Sequence, residues 1–140
     1  MEKAKKEEKK TEKKKEATKS SEKLAVIRIR NITKSSFAVR DTLDMLRIQK
    51  KFTCVVVDKT PSMLGMINKV KDYVTYGEID PETLALLEQK RANKDKSRKD
   101  FHLSPPRGGF ERKGIKHQYE QGGALGYRRK DINELIKRMV

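Results

Sequence analysis

The stretch LAVIRIRNITKSSFAVRDTLDMLRIQKKFTCVVVD (24–58) decides the fold. In its first residues Ala25, Ile27 and Ile29 fall on one side of an extended chain, and Arg28 and Arg30 on the other. That period of two predicts a β-strand with one buried face and one basic face. Val39, Leu43 and Leu46 then recur at i, i+4 and i+7, the stripe of an amphipathic helix, with Ser35 and Ser36 placed to cap it. FTCVVVD (52–58) is rich in β-branched residues and predicts a second strand.

The pattern repeats downstream. Thr60-Pro61 opens a helix with Thr as N-cap and Pro in the first turn, and Met63, Met66, Ile67 and Val70 form its apolar stripe. Gly65 inside it either admits a neighbouring backbone or is simply tolerated. YVTYGE (73–78) predicts a third strand, and Asp80-Pro81 starts a helix to about Arg91 carrying Leu84 and Leu87. The order is β-α-β-α-β-α. Residues 24–93 form the core and 94–100 a polar linker. A closing helix over 130–140 has a docking face of Ile132, Leu135, Ile136 and Met139, with Asp131 and Glu134 spaced as a capping box.

Between linker and closing helix lies FHLSPPRGGFERKGIKHQYEQGGALGYRR (101–129), with six of the chain's eight glycines, six Lys/Arg and two Glu. No hydrophobic period runs through it, so it offers little to bury and is expected to be a held loop whose interior RNA supplies, with partial strand pairing of its ends against the core left open by the composition. Residues 1–23, with ten Lys, six Glu and no aromatic residue, form a basic tail expected to be disordered when free. It reads equally as a solvated tail and as a phosphate-contacting arm.

The 140-residue chain carries a formal net charge of +15 and is 39% charged. The surplus is spread over every segment, which destabilises a compact state and favours a polyanionic partner, most simply nucleic acid. No apolar run approaches the roughly 20 residues of a spanning helix, and no signal peptide is evident, so the expectation is a cytoplasmic protein without a membrane partner. Cys54, the only cysteine, lies in an apolar run and reads as a small buried hydrophobe. His102 and His117 lack the company of a zinc site, and Asn31-Ile32-Thr33 matches a glycosylation acceptor by chance.

No converging catalytic set is present, so the expectation is a protein that is not an enzyme, with no small-molecule substrate, cofactor or metal. Gly122-Gly123-Ala124-Leu125-Gly126 is neither a dinucleotide fingerprint nor a P-loop. Acylphosphatase-like enzymes share the element order, but their phosphate cradle is a Gly-rich turn after the first strand, where this chain has NITKSS. Nucleic-acid binding fares better. Arg28 and Arg30 project from the first strand, and Lys34, Arg40, Arg47, Lys50, Lys51 and Lys59 sit in or near flanking turns and helix ends. In the loop, Arg107, Arg112, Lys113, Lys116, His117, Arg128 and Arg129 alternate with glycines and with Phe101, Phe110, Tyr119 and Tyr127. Glycine lets a backbone press against a phosphate ribbon. RNA is favoured over DNA, because no helix is basic along one face and a loop that orders against irregular grooves suits RNA.

LAVIRIRN, VRDTLDMLRI, TPSMLGMINKVKDYVTYGEID, PPRGGFERKGIKHQYEQGGALGYRR and INELIKRM occur in an order that resembles the archaeal branch of large-subunit ribosomal protein L-thirty, whose eukaryotic relatives are called L-seven. The resemblance runs from Leu24 to the C-terminus. It implies an α+β fold: a ferredoxin-like β-α-β-α-β core with a small antiparallel sheet and helices on one face, plus the basic Gly-rich loop and a C-terminal helix. It also implies a structural constituent of the large ribosomal subunit that binds large-subunit rRNA near the base of the central protuberance. Other large-subunit proteins and 5S rRNA would be its neighbours. Carried over residue by residue, Arg28, Arg30 and Arg40 match the first strand and helix; Thr60, Pro61, Gly65, Met66, Lys69 and Val70 the second-helix motif; Arg107, Gly108, Gly109, Gly122, Gly123 and Gly126 the C-terminal loop. Leu64 stands where the family often has Arg, a short linker replaces a helical insert after Arg91, and the Lys/Glu tail has no archaeal counterpart. The alternative is a free RNA-binding module or RNA chaperone outside the ribosome.

Overall fold

The computed structural model of the chain describes residues 22–91 and 100–140. The readings of the tail up to residue 21 and of the linker before Asp100 lie outside the described residues. The first strand, β1 (Lys23–Arg28), is followed by helix α1 (Phe37–Met45), β2 (Thr53–Asp58), α2 (Pro61–Lys69), β3 (Val74–Glu78) and α3 (Pro81–Arg91). The short strands β4 (Asp100–His102) and β5 (Gly126–Tyr127) and the closing helix α4 (Ile132–Met139) complete the chain. The sheet order is β4-β2-β1-β3-β5. β1 pairs antiparallel with β2 and β3, β4 pairs antiparallel with β2, and β5 runs parallel to β3. This is the α+β, ferredoxin-like arrangement that the resemblance implied.

Alternation along β1 sorts the core into two layers. Leu24 and Val26 face α1 and α2, packing with Leu43, Leu46, Val55, Ile67, Val70 and Val74. Both helices of the β-α-β-α-β unit therefore lie on one face. Ala25 and Ile27 point to the other face, which α3 and α4 cover with Leu87, Ile132, Leu135, Ile136 and Met139. β1 is buried from Leu24 to Arg28, so the expected basic strand face does not exist. A strand at the centre of a five-stranded sheet, with a helical layer on each side, exposes neither face. Each fully buried Leu, Ile or Met contributes about 1.5–3 kcal/mol of transfer free energy, which makes this double layer the main source of stability.

Local signals are realised unevenly. The Thr60 hydroxyl accepts the Met63 N–H at 3.3 Å and caps α2. Ser36 occupies the N-cap of α1 without a side-chain cap bond, while the Ser35 hydroxyl donates to the Ile32 carbonyl at 2.7 Å. The Asp131–Glu134 capping box does not form, because Asp131 is already helical and its carboxylate accepts the Tyr119 hydroxyl at 2.6 Å. A side chain on Gly65 would meet open space, so that glycine is tolerated rather than required. Burial pushes the Cys54 thiol up to about 12, leaving it an unreactive core hydrophobe.

The glycine-rich stretch has an interior of its own, contrary to the expectation that RNA supplies it. Its ends join the sheet as β4 and β5. Phe101 and Leu103 enter the α4 layer, and Ala124 and Leu125 close over Ile29 with Phe110 and Ile115 alongside. At its centre Arg128, 2% exposed, binds both carboxylate oxygens of Glu111, the Thr75 hydroxyl at 2.9 Å and the Ala124 carbonyl at 3.0 Å. Its guanidinium also lies 4.8 Å from the Tyr119 ring centroid. A local hydrophobic period cannot reveal such an interior, because polar side chains and distant residues build it.

Gly77 passes under the Arg129 carbonyl and Ile132, where a Cβ would overlap the backbone oxygen. Gly77→Ala should therefore destabilise the fold by at least about 1–3 kcal/mol, read as a lower denaturation midpoint with faster amide exchange in α4. Burial raises the Glu111 pKa, but the hydrogen bonds and charge of Arg128 outweigh it and hold the carboxyl below its ordinary 4.5. A depressed carboxylate pKa adds stability above the unfolded value and loses it as pH falls towards the folded one. Amide protection of residues 111–125 should thus hold at neutral pH and decline on acidification below about pH 4.5. Arg128→Met should abolish that pH dependence and cost about 3 kcal/mol, since a half-buried carboxylate is left without its partner.

Candidate nucleic-acid interface

Strand direction determines where the cations go. β1 ends, and β2, β3 and β5 begin, at the same edge of the molecule. Loops 29–36, 46–52, 70–73 and 103–125 gather there. They are tied together by the Phe52 N–H donating to the Arg28 carbonyl at 2.8 Å, the Ile29 N–H to Tyr73 at 3.0 Å and the Leu103 N–H to Phe52 at 3.0 Å. Phe52 and Phe110 stack at 6.2 Å, and the Gln118 amide donates to Asp72 at 3.2 Å. These four loops hold ten Lys/Arg against three Asp/Glu, a surplus of seven. Glu111 is neutralised by Arg128, which leaves Asp72 and Glu120 as the remaining acids of this edge.

Arg28 does not face solvent. It is 3% exposed, and its guanidinium donates to the Arg30 carbonyl at 3.0 Å, to Ile48 at 3.5 Å and to Gln49. Burial lowers its pKa, with Asp44 opposing. The side chain fastens the turn after α1, in which Arg47 and Phe52 adopt φ of 62° and 63°. Left-handed conformations cost non-glycine residues of order 1–3 kcal/mol and persist only where the surroundings enforce them. Arg28 thus positions a turn that presents Arg47, Lys50 and Lys51, all exposed.

The remaining sequence candidates divide by place. Arg30 is half-buried over Tyr73, 5.5 Å from the ring centroid. Lys34, Arg40 and Lys69 are exposed, and Arg40 donates to the Thr33 carbonyl at 2.7 Å. In the long loop Arg107, Arg112, Lys113, Lys116 and His117 are exposed. Gly108 and Gly109 have φ of 80° and 77°, and a Cβ there would meet nothing, so this turn offers its backbone to the outside. Gly122, with φ of 89°, is also on the surface, near the Lys113 side chain. Gly123 is different: it is buried, and a Cβ would overlap the His117 carbonyl, so its lack of a side chain serves internal packing.

Three candidates belong to the opposite end of the sheet. Lys59 bridges Glu22 at 2.8 Å and Glu78 at 3.3 Å, and these bonds raise its pKa. Thr60 is engaged in its cap. Arg129 is exposed beside Gly77 with φ of 55°. Phe37, 84% exposed, is a surface aromatic that helix-stripe reasoning passes over. Its spacing outside the Val39–Leu43–Leu46 stripe is the signal that marks it. Among the described residues no helix is long and apolar enough to cross a membrane, and no group of three or more His, Cys, Asp or Glu could hold a metal ion.

A family model described as ribosomal protein L30p/L7e matches residues 24–74. The large ribosomal subunit protein uL30 of Methanopyrus kandleri is 38% identical over 139 residues, covering 73% of this chain and 93% of that protein. The uL30 proteins of Methanococcus vannielii and Saccharolobus islandicus are 39% and 35% identical, covering 83% and 85% of this chain and 98% and 99% of theirs. Likeness of that degree extends over most of the chain, and the chain belongs to the L30p/L7e family of ribosomal proteins.

Proposed function

We propose that this protein is a structural, non-catalytic constituent of the large ribosomal subunit and that it binds large-subunit rRNA through the basic end of its sheet. The observation that carries the reading is the convergence of ten Lys/Arg from four separate loops on one edge of the fold. Cations fixed on a folded frame release counterions from the RNA and lose little entropy on binding. The open backbone at Gly108 and Gly109 allows a phosphate to approach closely. The names of the relatives support the ribosomal setting; within it the proposed partners are large-subunit rRNA, with the 5S rRNA close by, and neighbouring subunit proteins, in the cytoplasm.

Lys59, Thr60 and Arg129 lie away from this edge, and Arg28 and Arg128 act beneath it by holding loops in place. The proposed contacts are therefore Arg30, Lys34, Arg40, Arg47, Lys50, Lys51, Lys69, Arg107, Arg112, Lys113, Lys116 and His117, with Gly108, Gly109 and Gly122. On a density gradient of cell lysate the protein should travel with large subunits; recovery at the top of the gradient would instead favour a free RNA-binding module. Arg112→Ala, Lys113→Ala and Lys116→Ala combined should reduce the slope of log affinity against log salt for deproteinised large-subunit rRNA by about 0.7–0.9 for each phosphate that is no longer neutralised. Lys59→Ala should leave that slope unchanged.

A further inference from the structure

We propose that the Phe37 ring stacks on an unpaired base of the bound RNA, with Lys34 and Arg40 on the flanking phosphates. The inference rests on the rRNA-binding reading and adds a specific contact to it. Phe37 is the first residue of α1 and, at 84%, the most exposed large hydrophobic side chain among the described residues. The helix buries its opposite side, where Thr42 and Leu43 pack inward. Phe37 does not contribute to that core.

Its surroundings select the partner. Arg40 lies three residues on, on the same side of the helix, and its guanidinium reaches back to the Thr33 carbonyl at 2.7 Å, beside Lys34. A ring next to two cations matches a nucleotide, whose base offers a π-face and whose phosphates offer charge. A protein groove would ask for more apolar anchors at i+3, i+4 and i+7. This chain has Arg40, Asp41 and Asp44 at those positions. Met45, also exposed, lies about 12 Å further along the axis, with Arg40, Asp41 and Asp44 between them, so the two do not form a continuous apolar stripe. Asp41 opposes phosphate on the C-terminal side of the ring, which places the phosphates towards Lys34.

The full chain and deproteinised large-subunit rRNA provide the test. The site is exposed, so Phe37 variants should melt like the parent. Phe37→Ala should weaken binding about 5- to 150-fold, the range for removal of one base–aromatic stack, with an unchanged salt slope. Phe37→Tyr should bind like the parent, and Phe37→Leu should resemble the Ala variant. The chain has no tryptophan, so Phe37→Trp adds a single reporter whose emission RNA should quench. Gln89→Trp, on the exposed outer side of α3, is the unquenched control. Equal binding by parent and Ala variant overturns the stacking while leaving the rRNA reading intact. Full binding by the Leu variant overturns it too, and so does a weakening seen only when other subunit proteins are present. Failure of the parent chain itself to bind the rRNA overturns both readings together.

Discussion

The Arg128–Glu111 pair is the contact on which the functional end of this molecule depends. One guanidinium joins the loop carboxylate to β3 through Thr75 and to the loop's own return through Ala124, with Tyr119 across its face. Apart from that cation the segment from Glu111 to Leu125 is tied to the rest of the fold by a small apolar anchor around Ile29, Ala124 and Leu125 and by the Gln118–Asp72 and Tyr119–Asp131 hydrogen bonds at its rim. A buried charge is tolerable only when its donors are matched, and here the partners come from three separate parts of the chain.

Arg28 plays the corresponding part on the other side of β1. Both arginines sit where the sheet ends, and both convert charge into loop geometry by binding inward-facing acceptors. Their neighbours Arg30 and Arg129 remain accessible. The protein therefore uses its basic residues in two ways, as internal fasteners and as a surface of positive potential. The fasteners determine where the surface charges stand. A ligand that needs many phosphates met at once benefits from such rigidity, because loop ordering is already complete before binding.

The fold is largely legible in the sequence. Alternation in β1, the β-branched run of β2, the apolar stripes of α1 and α2, and the Thr60-Pro61 start each depend on neighbours within a few residues, and each appears in the structure. The site is legible only as a surplus of charge. A basic strand face is the wrong reading of β1 because a period of two cannot tell solvent from a second helical layer. The glycine-rich stretch is undervalued by its local pattern because its interior is held by an ion pair and by contacts to Ile29 and Thr75, far away in the chain. Phe37 escapes a search for apolar stripes because it stands off the Val39–Leu43–Leu46 stripe, and that offset marks it as exposed only once the helix is known to begin there.

Sequence by itself determined the order of elements, the net charge and the family, because these follow from residue identity and short-range spacing. The tertiary structure alone decided which cations are free. Arg28 and Arg30, or Arg128 and Arg129, are chemically identical and nearly adjacent, yet one of each pair is buried and the other is not. The difference lies in acceptors brought from 17 to 53 residues away, Ile48 and Gln49 for Arg28 and Glu111 and Thr75 for Arg128. Desolvating a guanidinium is repaid only by such fixed acceptors, and only folding assembles them.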